Sequence, residues 1–382
     1  MLSFRLALNA GADPAWRWDT DRWRRGDSWI HPVVHPALRH DIDDCPGATT
    51  ILVRDAATQL TLPEATTHKP SADGVGGAER GDALLLRIQP GRITLTAGIG
   101  GTAPLYLAVD GDILHGSWDL PALRHLTQRS SLLDRAVTRA LTRRHRYSSD
   151  TLFIGVTMLT ERATATFTAA GLNVTYPTPA RHVTRARALR PGVDTTAALA
   201  HLLTDALRPW QDTGAALGLE LSGGLDSGTV AIAARSTTST PLRSFGLIVD
   251  GALGAEQHRR RVAITKQIGA KDDILRAHDH APFCEKGVRA SGAAHDPRGE
   301  FYREAFESLA DRASRSGVEI MLTGNGGDEI VAPRVDELPP PPPQPLTEVS
   351  WLGPRAREAV TTIDDNLAPS AVLPTPTLMS FA

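Results

Sequence analysis

The stretch with the clearest chemical potential is Ser-Gly-Gly-Leu-Asp-Ser at residues 222–227. It follows an apolar strand pattern and precedes a helix pattern that begins near Ser227. Gly223 and Gly224 allow the backbone to come close to a ligand, and the following helix N-terminus offers unpaired amides and a positive dipole end. The hydroxyls of Ser222 and Ser227 can donate hydrogen bonds to phosphate oxygens. These residue types in this order predict a phosphate-binding loop.

Asp226 lies inside this stretch and would repel a bare phosphate group, so it makes chemical sense as a ligand of a phosphate-bound Mg²⁺. The plain alternative is a strand-to-helix turn in which Asp226 or Ser227 caps the helix. The complete pattern after an apolar strand is more specific than a lone glycine pair. It matches neither the GxxxxGK[ST] loop nor the GxGxxG fingerprint.

A second glycine-rich turn, at residues 324–329, closes the apolar segment 318–323. It contains Gly324, Asn325 and Asp328, and standing alone it would be interpreted as a solvated turn. Because carboxyl ends of parallel strands share one edge of a sheet, the two turns are predicted to face one ligand.

The second half of the chain alternates between strand and helix patterns after a linker near residue 190 and a predicted helix over 195–209. Predicted strands cover 215–223, 242–251, 272–279 and 318–324, with predicted helices over 227–236, 256–269 and 300–317 between them. This alternation predicts βαβ units and a parallel sheet.

The first half is rich in strand patterns instead. Predicted strands cover 83–89, 92–99, 103–111, 112–118, 151–159 and 163–177, and a helix is predicted over 132–145. We therefore expect an α/β fold with domains at 1–190 and 195–335, followed by a proline-rich, incomplete C-terminal part at 336–382.

The composition excludes several classes of protein. The chain has 382 residues, enough for two domains, and its net charge of −2 does not favour nucleic-acid or membrane-surface binding. Cys45 and Cys284 show no metal-ligand spacing and are predicted to be free thiols. We see no signal-peptide pattern and no apolar run long enough to span a bilayer, so the cytoplasm is the expected location.

The 222–227 string resembles the PP-loop of enzymes that split ATP into AMP and pyrophosphate, an adenine nucleotide α-hydrolase-like fold. The 324–329 turn resembles the G-x-G-x-D-E turn of asparagine synthetases. The resemblance implies ATP and Mg²⁺ as cofactors, with Asp226 and Asp328 holding the metal on the pyrophosphate. It also implies that Leu221, Leu247 and Gly324 line the adenosine site.

Residues 97–123 and 151–167 resemble the glutaminase domain of the same family, an N-terminal-nucleophile α+β sandwich. Together the resemblances span roughly residues 80–335, and the first 80 residues match poorly. Glutamine-dependent members use a Cys at the second position, where this chain has Leu2. The resemblance therefore implies a degenerate glutaminase domain, and we do not expect ordinary glutamine-dependent asparagine synthesis.

Asn325 occupies a position that is Glu in asparagine synthetases and Tyr in the β-lactam-forming relatives. The whole pattern most resembles a lasso-peptide cyclase, which implies macrolactam closure of a precursor peptide, with a leader peptidase or leader-binding protein as a further partner. The alternatives are a β-lactam synthetase-like cyclase and a non-catalytic ATP- or peptide-binding module. The relatives carry a catalytic Lys beyond the second turn, and no Lys follows Lys286 here. We expect that the chain is truncated, that a partner completes it, or that it is not a full catalyst.

Overall fold

The computed structural model describes residues 1–8, 15–56, 83–98, 105–127, 131–141, 148–176, 190–285, 287–291 and 302–326. The first half forms two antiparallel sheets and the second half a parallel sheet flanked by helices, so the predicted α/β fold is confirmed. The predicted C-terminal part at 336–382 lies outside the described residues. The domain limits stay predictions.

Thirteen strands of the described residues build the antiparallel half. They are β1 (Leu2–Ala7), β2 (Arg17–Asp19), β3 (Arg22–Arg25), β4 (Ser28–Pro32), β5 (Leu38–Cys45), β6 (Ala48–Asp55), β7 (Ala83–Gln89), β8 (Arg92–Ala97), β9 (Leu105–Asp110), β10 (Ile113–Ser117), β11 (Val156–Leu159), β12 (Thr164–Thr168) and β13 (Gly171–Thr175). One sheet has the order β11-β9-β10-β1-β4-β3-β2 and the other the order β13-β12-β8-β7-β6-β5.

The two sheets share one hydrophobic core and so form a sandwich. Strand β1 shows why, because its alternation buries Leu2, Phe4 and Leu6 and turns the residues between them away from the core. The Phe4 ring lies across Gly116 of β10, where a Cβ would come within 2.2 Å of the ring. A side chain at this position would therefore displace Phe4 from the core.

The predicted strands of the first half are present, with two clear differences. The segment predicted as strand over 163–177 is a hairpin of two strands, β12 and β13. The strand predicted over 151–159 is confined to Val156–Leu159. Its first part folds into a turn, because the Thr151 hydroxyl hydrogen-bonds to the Val156 carbonyl at 2.7 Å and Gly155 has a φ of +84°. The predicted helix over 132–145 is α2 (Asp134–Leu141), preceded by the short α1 (Arg124–Thr127), and residues 142–145 lie outside the described ranges.

The second half alternates strands and helices as predicted. Its elements are α3 (Thr195–Asp212), β14 (Leu217–Glu220), α4 (Leu225–Thr237), β15 (Arg243–Ile248), α5 (Gly251–Ile268), β16 (Lys271–Arg276), α6 (Arg303–Arg315) and β17 (Ile320–Leu322). Every neighbouring pair in the order β16-β15-β14-β17 is parallel. The Asp194 carboxylate caps α3 by accepting a hydrogen bond from the Ala197 amide at 3.0 Å.

Helices cover both faces of this sheet. Leu219 and Leu221 of the β14 segment pack with the alanines of α4 on one face. Phe245 and Leu275 pack with Leu309 of α6 on the other. The sheet is thus fixed from both sides, and its carboxyl edge is a rigid base for the turns that follow the strands.

Among the described helices, we find none with the length and apolar character that crossing a membrane requires.

Candidate functional site

The carboxyl edge of the parallel sheet brings the two glycine-rich turns together. Strand β14 lies between β15 and β17, and the parallel registers pair Leu219 with both Ser244 and Leu322. The turns after β14 and β17 therefore leave the sheet side by side. In open α/β sheets, the crevice outside the carboxyl ends of the strands is where ligands bind.

The turn after β14 is tight, and it opens directly into helix α4. Gly223 has a φ of +83°, a left-handed conformation that glycine adopts without strain. A Cβ on Gly223 would also lie 2.9 Å from the Gln257 carbonyl oxygen of α5. Both the dihedral angle and the close approach to α5 require glycine at this position.

The helix starts earlier than the sequence pattern predicts. Gly224 is the N-cap with extended dihedrals, no side chain caps it, and Leu225 is the first helical residue. The predicted start near Ser227 is therefore two residues late, and the alternative that Asp226 or Ser227 caps the helix is wrong. Because the N-cap has no side chain to satisfy them, the first-turn amides that Gly324 does not cover, those of Leu225 and Asp226, are candidate donors to an anionic ligand.

The two serine hydroxyls hydrogen-bond to each other across this turn. The Ser222 and Ser227 hydroxyl oxygens are 2.9 Å apart, and the Ser222 amide donates to the Ser227 hydroxyl at 3.2 Å. The Gly224 amide donates to the Ser222 hydroxyl at 3.2 Å. One of the two hydroxyl hydrogens is used between the serines, so the pair keeps one hydrogen for a phosphate oxygen.

The second turn packs against the backbone of the first. A Cβ built on Gly324 would lie 2.5 Å from the Ser227 amide nitrogen and 2.9 Å from the Ser227 Cα. The absence of a side chain at Gly324 is what lets the turn after β17 reach the first turn of α4. Asp226, one residue before Ser227, is half-buried beside this contact.

Asn325 is exposed, and its amide donates to the Thr323 hydroxyl at 3.4 Å. Asp328, the second predicted metal ligand, lies outside the described residues. The structure therefore places Gly324 beside the Asp226 backbone, and the shared metal site of Asp226 and Asp328 stays a prediction. The donor set fits phosphate and a hard cation, because helix amides and a hydroxyl suit phosphate oxygens and the Asp226 carboxylate suits Mg²⁺.

The two leucines predicted to line an adenosine site differ in their surroundings. The Leu221 side chain is completely buried in the core under α4, so only its backbone could contact a ligand. Leu247 is partly exposed and packs against the core on the α6 face. The predicted adenosine site therefore has one candidate side chain, Leu247, and one candidate backbone segment, at Leu221.

Sequence reasoning missed two α5 residues that support this edge, Gln257 and Arg261. The Gln257 side-chain amide donates to the Leu247 carbonyl at 2.8 Å, and its oxygen accepts from the Val249 amide at 3.3 Å. It thereby fixes the end of β15 beside the loop. In the sequence both residues lie in a strongly polar helix pattern, which indicated a solvated surface rather than contacts with the sheet.

Leu2 stands at the position where the glutamine-dependent enzymes that the sequence resembles have a nucleophilic Cys. The Leu2 side chain is buried in the sandwich core. The neighbouring Ser3 hydroxyl is hydrogen-bonded to the Ser117 hydroxyl at 2.9 Å. Cys45 is exposed at the end of β5, and both cysteines are free.

Where the structure describes residues 195–326, they form a parallel α/β unit with two glycine-rich turns at its carboxyl edge. Residues 198–334 match the family model described as "Asparagine synthase". The match contains both glycine-rich turns and ends before the proline-rich segment.

Two solved structures are similar to larger parts of the chain at low identity. Glutamine phosphoribosylpyrophosphate amidotransferase from B. subtilis, complexed with ADP and GMP, is 14% identical, with 78% of this chain and 77% of that chain covered and a TM-score of 0.24. A structure titled "allosteric regulatory enzyme of purine biosynthesis" is 11% identical, with 79% and 76% covered and a TM-score of 0.24. No curated protein sequence matches the chain.

Proposed function

We propose that this protein forms an amide bond by adenylating a carboxylate with ATP and passing the acyl group to an amine. The match of residues 198–334 to the asparagine synthase model supports ATP-dependent amide ligation in general. The observation that carries the proposal is the contact between Gly324 and the Ser227 backbone, since it joins the two predicted phosphate and metal turns.

Each residue of the edge has a task in this proposal. The first-turn amides of α4 and the free serine hydroxyl hydrogen bind the phosphates of ATP. Asp226 and Asp328 would hold Mg²⁺, which supplies positive charge to a polyphosphate. In this proposal Leu247 would border the adenosine, and the exposed Asn325 would be a catalytic residue near the acyl group.

The chemistry balances in two steps. A substrate carboxylate oxygen attacks the α-phosphorus of ATP, the bond to the bridging oxygen breaks, and pyrophosphate leaves with the electron pair. The amine nitrogen then attacks the acyl carbon, AMP leaves with the electrons of the acyl–oxygen bond, and the amine releases a proton. Holding carboxylate and amine together supplies the entropic part of the rate acceleration.

The buried Leu2 favours an amine that comes from the substrate itself. A glutaminase domain with an apolar, buried side chain at this position has no second-residue nucleophile to release ammonia from glutamine. We therefore propose an internal amine, and a lasso precursor peptide as substrate, with a side-chain carboxylate and the peptide's own N-terminal amine. A leader peptidase or leader-binding protein and a cytoplasmic location belong to this proposal.

The test is ATP–pyrophosphate exchange with candidate precursor peptides, followed by mass spectrometry for loss of one water from the peptide. We expect exchange that depends on the peptide and on Mg²⁺, a dehydrated product, and no stimulation by glutamine. Asp226→Asn is the control, because it removes the carboxylate charge at nearly constant volume, and it should abolish exchange in a folded protein.

The alternatives give other results in the same assay. Exchange with a small β-amino carboxylate and none with peptides would replace the peptide proposal with a β-lactam synthetase-like reaction. Binding of ATP without exchange under any condition would contradict catalysis and indicate a non-catalytic nucleotide-binding module.

A further inference from the structure

Arg261 of helix α5 is the largest fully buried side chain of the described residues. Burial lowers the pKa of its guanidinium from the ordinary value, while Asp272 raises it. Burying a charged guanidinium is costly unless it is paired and hydrogen-bonded. This side chain lies directly below the candidate phosphate loop.

The head of Arg261 is attached to two strands of the parallel sheet. It forms an ion pair with Asp272 of β16, which also accepts a hydrogen bond from the Ser244 hydroxyl of β15. A second guanidinium nitrogen donates to the Phe245 carbonyl at 3.5 Å. These bonds fix the direction of the side chain, although its Nε has no hydrogen-bond partner among the described residues.

The stem and head of Arg261 fill a passage that two glycines leave open. A Cβ on Gly223 of the loop would lie 3.2 Å from the Arg261 Cγ, and a Cβ on Gly246 would lie 1.9 Å from a guanidinium nitrogen. A Cβ on Gly246 would also collide with the Leu221 carbonyl oxygen. The left-handed turn at Gly223 therefore rests on the Arg261 stem, and the stem is held from below by Asp272.

We infer that Arg261 is a positioning residue of the nucleotide site, whose anchored stem holds the turn at Gly223 in the conformation that presents the α4 amides to phosphate. This inference rests on the proposed function, because it assigns to that site the residue that shapes it. Arg261 touches no ligand atom in this role and acts through the loop.

The test separates loop positioning from general stability by using matched variants. In an Asp272→Asn background, which removes the carboxylate that would otherwise lose its partner, Arg261→Ala deletes the stem and Arg261→Met keeps an unbranched stem. The matched control is Arg289→Ala with Glu304→Gln, which deletes a second buried Arg–carboxylate pair among the described residues, with 5% and 2% of those side chains exposed. That pair joins the segment after β16 to the start of α6, and it does not involve the loop at residues 222–227.

Two measurements are made on each folded variant, namely the MgATP dissociation constant by calorimetry and the amide hydrogen exchange of residues 222–228. In Arg261→Ala the loop should shift by a fraction of an ångström, and the MgATP dissociation constant should rise about tenfold or more. Its loop amides should also exchange faster. Arg261→Met should stay close to the Asp272→Asn parent in both, and the Arg289 control should match the wild-type protein in both.

The inference is overturned if Arg261→Ala binds MgATP as tightly as its parent and its loop amides exchange at the parent's rate. It is equally overturned if the Arg289 control changes both readouts to the same extent. If the wild-type protein binds no MgATP, the proposed function fails. The amide hydrogen-exchange rates alone still decide whether Arg261 holds the loop.

Discussion

Replacing Gly324 with Ala tests the contact that joins the two glycine-rich turns. The new Cβ would start 2.5 Å from the Ser227 amide nitrogen and 2.9 Å from its Cα, and both are backbone atoms that cannot rotate away. Ordinary carbon contacts begin near 3.5 Å, so the turn after β17 must retreat by about 1 Å. A displacement of this size at a catalytic site can cost on the order of 100-fold in rate, or about 2.7 kcal/mol of transition-state stabilisation.

The assay is the kcat/KM of ATP–pyrophosphate exchange, measured together with the free energy of unfolding in urea. Gly218→Ala is the matched control, because its Cβ would lie 2.7 Å from a side-chain carbon of Val318, which lies just before β17. Gly218 lies in the first part of β14, before the loop. Both variants should lose about 1–3 kcal/mol of stability through overpacking, and only Gly324→Ala should lose exchange activity.

If Gly324→Ala keeps the wild-type kcat/KM while losing stability like the control, the contact is structural only. The two turns would then not form one site, and the proposed roles of Asp226 and Asn325 would lose their basis.

Two further predictions concern stability. The Arg289 ion pair lowers the pKa of Glu304 from 4.5 to about 2, so the pair stabilises the fold above pH 4.5 and loses this effect as the pH falls towards 2. Urea unfolding measures the difference in stability between the wild-type protein and Glu304→Gln. This difference should shrink by on the order of 2 kcal/mol from pH 7 to pH 3. A constant difference would contradict the pairing. Leu2→Ala should lower the free energy of unfolding by about 3 kcal/mol, because it empties a buried site in the sandwich core. The ATP–pyrophosphate exchange activity of Leu2→Ala per folded molecule should equal that of the wild-type protein. A selective loss of this activity would give Leu2 a role that its burial does not suggest.

The parallel half was largely predictable from the sequence, because its strands are short apolar runs separated by helices. The strands of the first 56 residues were not predicted, and β5 shows why. It is the edge strand of its sheet, with no buried residue, and it carries His, Asp and Cys where a buried strand would be apolar. Edge strands are only half-paired and tolerate charge, so a hydrophobic pattern does not reveal them.

The loop itself was recognisable, whereas its supports were not. The sequence around Gly324 is typical of a solvated turn. Its contact with Ser227 depends on the pairing of β17 with β14, which are separated by about 100 residues of chain. Arg261 is the last of three consecutive arginines, and its two neighbours are exposed. Only the packing of α5 on the sheet distinguishes the buried arginine from the two solvated ones.

The central claim, that Asp226 and Asp328 share one metal ion on the phosphates of ATP, is tested most directly by a double-mutant cycle on MgATP affinity. Asp226→Asn, Asp328→Asn and the double variant are compared with the wild-type protein by calorimetry. Two ligands of one ion should be strongly non-additive, so we expect each single variant to weaken binding and the double variant to lose little more. Additive losses, or MgATP binding that neither substitution changes, would contradict the claim.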